Sequence, residues 1–141
     1  MVKKDKLYRT LIERMELAAN EGRDLEAGWY AYAVIEDRTR SLLKSSGGIP
    51  VDSHGNQIRM LGAKTKELKK RAKQIPRLKA GVDFPQLKAW TKNRNDLIHG
   101  MAEGSLTVED IDRIAKKVAL DGPVIARGLA TTARKLKKYK K

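Results

Sequence analysis

The sequence predicts an all-α protein, a compact bundle of about five to six helices. Three observations carry that expectation. Apolar residues recur at helical spacing in every long segment, and no segment shows strand-length alternation. Capping residues, Gly and Pro fall where one helix would hand over to the next. A chain of 141 residues fits one domain, expected over 1–133, followed by a basic C-terminal tail at 134–141.

The first helix is expected to follow Asp5, which can cap it, and to run to about Ala19. Leu7, Tyr8, Leu11, Ile12, Met15, Ala18 and Ala19 line one side, and Asn20-Glu-Gly22 ends it. A second helix spans about Leu25 to Lys44, with Trp29, Tyr32, Ile35, Leu42 and Leu43 on its buried arc. Glu36 sits near the centre of that arc, a charge on an apolar face. Residues 45–58 read as a long loop by their Gly, Ser, Asn and Pro content, with His54 as a surface residue in it.

A strongly basic helix follows from about Met60 to Ile75. Its apolar seam is narrow (Leu61, Leu68, Ala72, Ile75), and Lys64, Lys66, Lys69, Lys70, Arg71 and Lys73 cover the other sides against a single Glu67. Pro76 is expected to stop it, with a short connection after. Asp83-Phe-Pro-Gln86 then opens a helix, with Asp as N-cap and Pro in the first turn, expected to end just after His99. Thr107-Val-Glu-Asp110 is a capping box for a helix that turns Val108, Ile111, Ile114, Ala115, Val118 and Ala119 inward. Asp121-Gly-Pro123 is expected to break it. A last helix carries Ile125, Leu129, Ala133 and Leu136 into a frayed tail with six cations in eight residues.

Composition narrows the function classes. Hydrophobic residues make up 40% of the chain, charged ones 34% and aromatics 5%. No apolar run approaches the roughly 18 residues of a membrane span, and Met-Val-Lys-Lys-Asp-Lys has no apolar signal core behind it. With no cysteine and only two histidines, disulfides and most zinc arrangements are ruled out. The expectation is a cytoplasmic protein without metal, cofactor or membrane. The net charge of +14 is uneven: residues 1–40 hold eight basic and eight acidic groups, residues 41–141 twenty-three and nine. That asymmetry points to a polyanion partner, nucleic acid before anionic lipid. Lys69, Lys70, Lys73 and Lys92 are the expected phosphate contacts. No aromatic interleaves the basic helix, so a base-stacking platform is not indicated there.

The stretch Trp90-Thr-Lys-Asn-Arg-Asn-Asp-Leu-Ile-His-Gly-Met101 holds the chemistry. At about 100° per residue, Phe84, Leu87, Trp90, Leu97, Ile98 and Met101 share one arc. Arg94 falls near its middle, and Asn95 and His99 lie one turn apart at its edge. A guanidinium so placed is either paired or used. Glu36, its opposite in sign on another apolar arc, is the expected partner: either a buried ion pair that docks the helices, or an orienting group for an arginine that binds phosphate.

Arg94-Asn-Asp-Leu-Ile-His99 resembles the signature of the HEPN (higher eukaryotes and prokaryotes nucleotide-binding) superfamily: an Arg, usually a polar residue next, and a His about five residues on, carried on a late helix of a small bundle. Asn95 matches the polar position and Gly100 is a frequent companion. Glu36 is similar to the acidic residue many members place on an earlier helix.

The resemblance implies a metal-independent RNA endonuclease, a toxin or anti-phage effector in many members. It also implies a homodimer through the Arg94–His99 helix, with RNA and an antitoxin or regulatory protein as partners. Arg94, His99, Asn95 and Glu36 would be the catalytic set, leaving 2′,3′-cyclic phosphate and 5′-hydroxyl ends. Imidazole ordinarily titrates near neutral pH, so His99 suits acid–base work; Arg94 suits the growing phosphorane charge. The alternatives are a non-catalytic RNA- or nucleotide-binding module that relies on the lysines, and a regulatory partner in which Arg94 serves stability alone. His99 would then be a helix-end residue. No helix-turn-helix spacing supports a sequence-specific DNA binder.

Overall fold

Packing is organised around a helix that has almost no solvent face over its middle turns. A computed structural model describes residues 4–138, with side chains from Lys6 onward. Helix α1 already includes Asp5, where the sequence placed a cap before the first turn; the Asp5 side chain and the tail residues 139–141 lie outside what is described. The described residues form six helices: α1 (Lys4–Asn20), α2 (Asp24–Ser45), α3 (Leu61–Ala72), α4 (Pro76–Gly81), α5 (Phe84–Glu103) and α6 (Val108–Lys138). The architecture is all-α. Among these residues no helix is long and apolar enough to cross a membrane.

Helix α2 is the central one. Ala31, Val34, Ile35, Leu42 and Leu43 on it are fully buried, covered by α1, α3 and above all α6. Small residues permit the close approach to α6. A Cβ on Gly28 would meet Val118 Cγ1 at 2.9 Å, and one on Gly122 would meet Ala31 Cβ at 2.7 Å. These two contacts also show that α2 and α6 run parallel. Helices α5 and α6 form an antiparallel hairpin, so α5 runs opposite to α2.

The helix ends follow capping chemistry. Asp83 Oδ1 accepts from the Gln86 N–H at 3.0 Å, with Pro85 in the first turn of α5. Thr107 Oγ1 accepts from the Asp110 N–H at 3.1 Å while the Thr107 N–H donates to Asp110 Oδ2 at 3.3 Å, a reciprocal box. Hydrogen bonds from Thr107 hold the Asp110 carboxyl below its ordinary range. That contribution is therefore present above the unfolded-state pKa and lost only as pH falls through the lowered folded one.

Four boundaries differ from expectation. Helix α5 continues to Glu103, because Gly100 serves packing against Leu106 and the left-handed stop is Gly104 at φ 69°. Pro76 does begin a new element, but it opens the six-residue α4, which buries Leu78. Pro123 does not break α6, which runs 31 residues without interruption. The proline removes one backbone hydrogen bond, at a cost of about 3 kcal/mol; Gly122 and Pro123 are both buried, Gly122 against Ala31 of α2 and Trp90, and that packing outweighs it. Beyond Ala133, α6 continues to Lys138 with Leu136 still in the core, so the expected frayed tail begins as regular helix.

Two cations read as part of the basic exterior of α3 turn inward. Lys64 lies between Leu61 and Leu68 on the seam and is only 5% exposed. Arg71 clasps the start of the loop: Nη1 donates to Leu43 O at 2.9 Å and Ser46 Oγ at 3.1 Å, and Nη2 to Gly48 O at 2.7 Å. Farther along, Asp52 Oδ1 accepts from the His54 and Asn56 N–H groups, and an isolated antiparallel bridge joins Val51 to Gln57. The loop is thus a built hairpin, with His54 exposed at its tip. Arg71→Ala is expected to cost about 2–3 kcal/mol in urea denaturation, since it removes several charge-assisted bonds, and to speed hydrogen exchange at residues 46–50.

Candidate functional site

Helix α5 is held by its apolar side. Leu87 is fully buried, Phe84, Trp90 and Leu97 nearly so, and the indole Nε1 of Trp90 donates to Val118 O at 3.0 Å. The arc is narrower than its sequence suggests. Ile98 is 40% and Met101 44% exposed, because α5 packs on α6 and α3 and no described helix covers this side of its last two turns. Trp29, expected in the buried arc of α2, is 70% exposed.

Arg94 lies at the edge of this uncovered surface. Its guanidinium carbon sits 3.7 Å from the centre of the Tyr32 ring, and Tyr32 in turn stacks on Trp90 at 6.5 Å between ring centres. Nη1 donates to Asn95 Oδ1 at 3.3 Å. Among the described residues Arg94 has no carboxylate partner, so its charge is oriented by a ring and not neutralised. Burial, and then Glu36, raise the Tyr32 hydroxyl above its ordinary pKa, with Arg94 opposing.

The expected Glu36–Arg94 pair is replaced by another. Glu36 Oε1 accepts from Lys64 Nζ at 3.1 Å. Direction explains the exchange. Helix α2 runs opposite to α5, so the turn after Tyr32 leads towards the start of α5, away from Arg94. A buried ammonium on α3 also needs a counter-charge more than a guanidinium already lying on an aromatic face. Glu36 therefore makes no ion pair with Arg94, although its charge still acts on Tyr32, the ring over which Arg94 lies.

Lysines gather on the other flank of the motif helix. A groove of about 710 Å³ between α3 and α5 is floored by Phe84 and Pro85 and bordered by Lys66, Lys69, Lys88, Lys92, Thr65, Thr91, Asn95 and Asp96. Four ammonium groups face one carboxylate, Asp96, which pairs with Lys92. Lys88, Lys92, Asn95 and His99 fall at i, i+4, i+7 and i+11, one stripe along α5. The groove reaches Asn95, and His99 is the next residue of that stripe, exposed and without a hydrogen bond to another described residue.

Of the lysines singled out by sequence, Lys69 and Lys92 border this groove, whereas Lys70 and Lys73 face a second one between α3 and the loop, beside Pro50 and Ile58. Lys69 reaches both. Tyr32 and Lys88 are the site residues that sequence reasoning missed, while Lys66 was placed on the basic face of α3 but not among the expected phosphate contacts. The lysines carried a legible signal, since their spacing matches the faces of α3 and α5. Tyr32 carried none, because a tyrosine on an apolar arc reads as core. No protein-family model, curated protein or solved structure matches this chain.

Proposed function

We propose that the chain is a metal-independent RNA endonuclease of HEPN type, acting as a homodimer. The observation that carries this reading is the single stripe on α5 that leads from the lysine groove through Asn95 to His99, beside an Arg94 that lies over the Tyr32 ring with no carboxylate partner among the described residues. The groove would draw in the phosphate backbone. Arg94 would bind the non-bridging oxygens of the scissile phosphate and stabilise the phosphorane. One His99 would take the proton of the 2′-hydroxyl as its oxygen attacks phosphorus. A second His99 would protonate the departing 5′-oxygen, leaving a 2′,3′-cyclic phosphate and a 5′-hydroxyl.

One motif supplies one imidazole, so acid and base come from two chains. Exposed Ile98 and Met101, one and two turns beyond Arg94 on α5, offer apolar area for such a two-fold contact, and Trp29 is exposed on α2. Ile98→Glu is expected to yield a folded monomer by light scattering, with cleavage lost. A dimer that persists in this variant argues against the contact.

The direct test is incubation of the purified chain with structured RNA in EDTA, followed by end-group analysis of fragments. Cleavage to cyclic phosphate ends supports the reading, and intact RNA from folded dimer removes it. Replacing Lys66, Lys69, Lys88 and Lys92 together by Ala is expected to weaken RNA binding and lower the slope of log K against log salt by about 3, at roughly 0.7 per phosphate contact on single strands.

A second reading is a non-catalytic RNA-binding module, favoured by the absence of any described hydrogen bond that orients the His99 ring. There the four lysines matter and His99→Ala leaves binding and function intact.

A further inference from the structure

A third, polar pocket lies on the opposite side of α3, away from the Arg94–His99 stripe. It is half open, has a volume of about 520 Å³ and is bordered by α2, the start of α3 and the hairpin loop. Its inner wall is the Glu36–Lys64 pair, whose ammonium is almost wholly buried. Arg40 and Arg59 also line it, both exposed and neither bonded to a carboxylate among the described residues. Three cations against one carboxylate leave the pocket with a net charge of two positive units, from Arg40, Arg59 and Lys64 less Glu36.

The remaining walls are not those of a simple ion-binding surface. Asn56 and Gln57 line the pocket, and their side-chain amides carry no hydrogen bond to another described residue, so their donors and acceptors are available. Ile49 and Ile58 add apolar surface beside them. The loop bearing these four residues is braced by the Arg71 clasp at its start and the Val51–Gln57 bridge across it. The wall is therefore pre-formed, which lowers the ordering cost of binding.

A ligand that satisfies every wall has a dianionic group for the guanidiniums, a flat body for the isoleucines and a hydrogen-bonding edge for the amides. Volume and lining match a small-molecule site of a few hundred Å³. We infer that this pocket binds a nucleoside monophosphate: phosphate on Arg40 and Arg59, base edge on Asn56 and Gln57. The same group also exists at the 5′ end of an RNA strand. The inference does not depend on the ribonuclease reading, because no residue of the α5 stripe lines the pocket.

Calorimetric titration of the full chain with AMP, GMP, CMP and UMP, beside inorganic phosphate and the free nucleosides, tests it. At least one nucleotide should saturate at micromolar concentration, with phosphate alone and nucleoside alone each weaker by about ten-fold or more. Arg40→Gln with Arg59→Gln should weaken it by at least about ten-fold, since both side chains are exposed and charge-assisted contacts are lost. Asn56→Ala with Gln57→Ala should reduce discrimination among bases, and His99→Ala should leave affinity unchanged. Competition by a 5′-phosphorylated oligonucleotide separates a strand end, which displaces the nucleotide, from a free-nucleotide site, which it does not enter. No saturation at millimolar nucleotide, equal binding of phosphate alone, or affinity that survives the double arginine change overturns the inference.

Discussion

His99→Ala is expected to lower the rate of RNA cleavage in EDTA by about 10²–10⁴-fold, the range that a positioned acid–base group contributes. Its side chain is exposed and makes no described hydrogen bond, so the change should leave the denaturation midpoint where it was. Arg94→Ala should cost about 10²–10³-fold, as for the loss of one preorganised donor to a developing charge, and mainly in kcat. Arg94→Lys should recover little of this. An ammonium neither spans two phosphate oxygens nor stacks on a ring as a guanidinium can, and the Tyr32 ring centre sits 3.7 Å from the guanidinium carbon. Tyr32→Phe keeps the ring face and should stay close to wild type, whereas Tyr32→Leu should resemble a mild Arg94 variant. Cleavage by His99→Ala within about threefold of wild type would remove His99 from the chemistry and leave the lysine groove as a binding surface.

The largest loss of stability is expected at Trp90. The side chain is 2% exposed, its N–H is bonded to Val118 O, and its ring supports Tyr32. Trp90→Ala should cost about 3–5 kcal/mol, a large share of the roughly 5–15 kcal/mol that holds a domain of this kind. It should also disturb Arg94 through Tyr32. Trp90→Phe keeps most of the apolar volume and should cost about 1–2 kcal/mol, much of it from leaving the indole's bond unmade. Trp29 is the control. At 70% exposed, its replacement by Ala should change monomer stability by no more than about 0.5 kcal/mol. Urea denaturation of the three variants measures all of this. A Trp90→Ala midpoint near that of wild type would show that α5 is not anchored by its indole.

The two tryptophans show where local pattern stops being informative. Periodicity assigned both to buried arcs, and nothing within either helix distinguishes them. Their difference arises between helices: α6 passes over the side of α5 that holds Trp90, and no described helix passes over Trp29. Ile98 and Met101 follow the same rule. A hydrophobic arc records what a helix is able to bury, and the neighbours decide how much of it is buried.

The all-α class, the N-cap at Asp83, the capping box at Thr107, the core side of α5 and the clustering of cations on α3 were all legible in the sequence. Each of these depends on residues within a few positions of one another, where sterics and local hydrogen bonds dominate. The sequence also placed Arg94, Asn95 and His99 on one helix, since spacing alone does that.

Tertiary structure decided the partners. Glu36 took Lys64 and left Arg94 to Tyr32, because opposed helix directions set which turns meet and a buried ammonium needs a counter-charge. Pro123 stayed helical because the burial of Gly122 and Pro123 outweighs one missing hydrogen bond. Arg71 became the clasp of the loop because the open carbonyls at the end of α2 lie within its reach. Pairings across tens of residues depend on distance and desolvation in three dimensions, and neither is written in the spacing of a single helix.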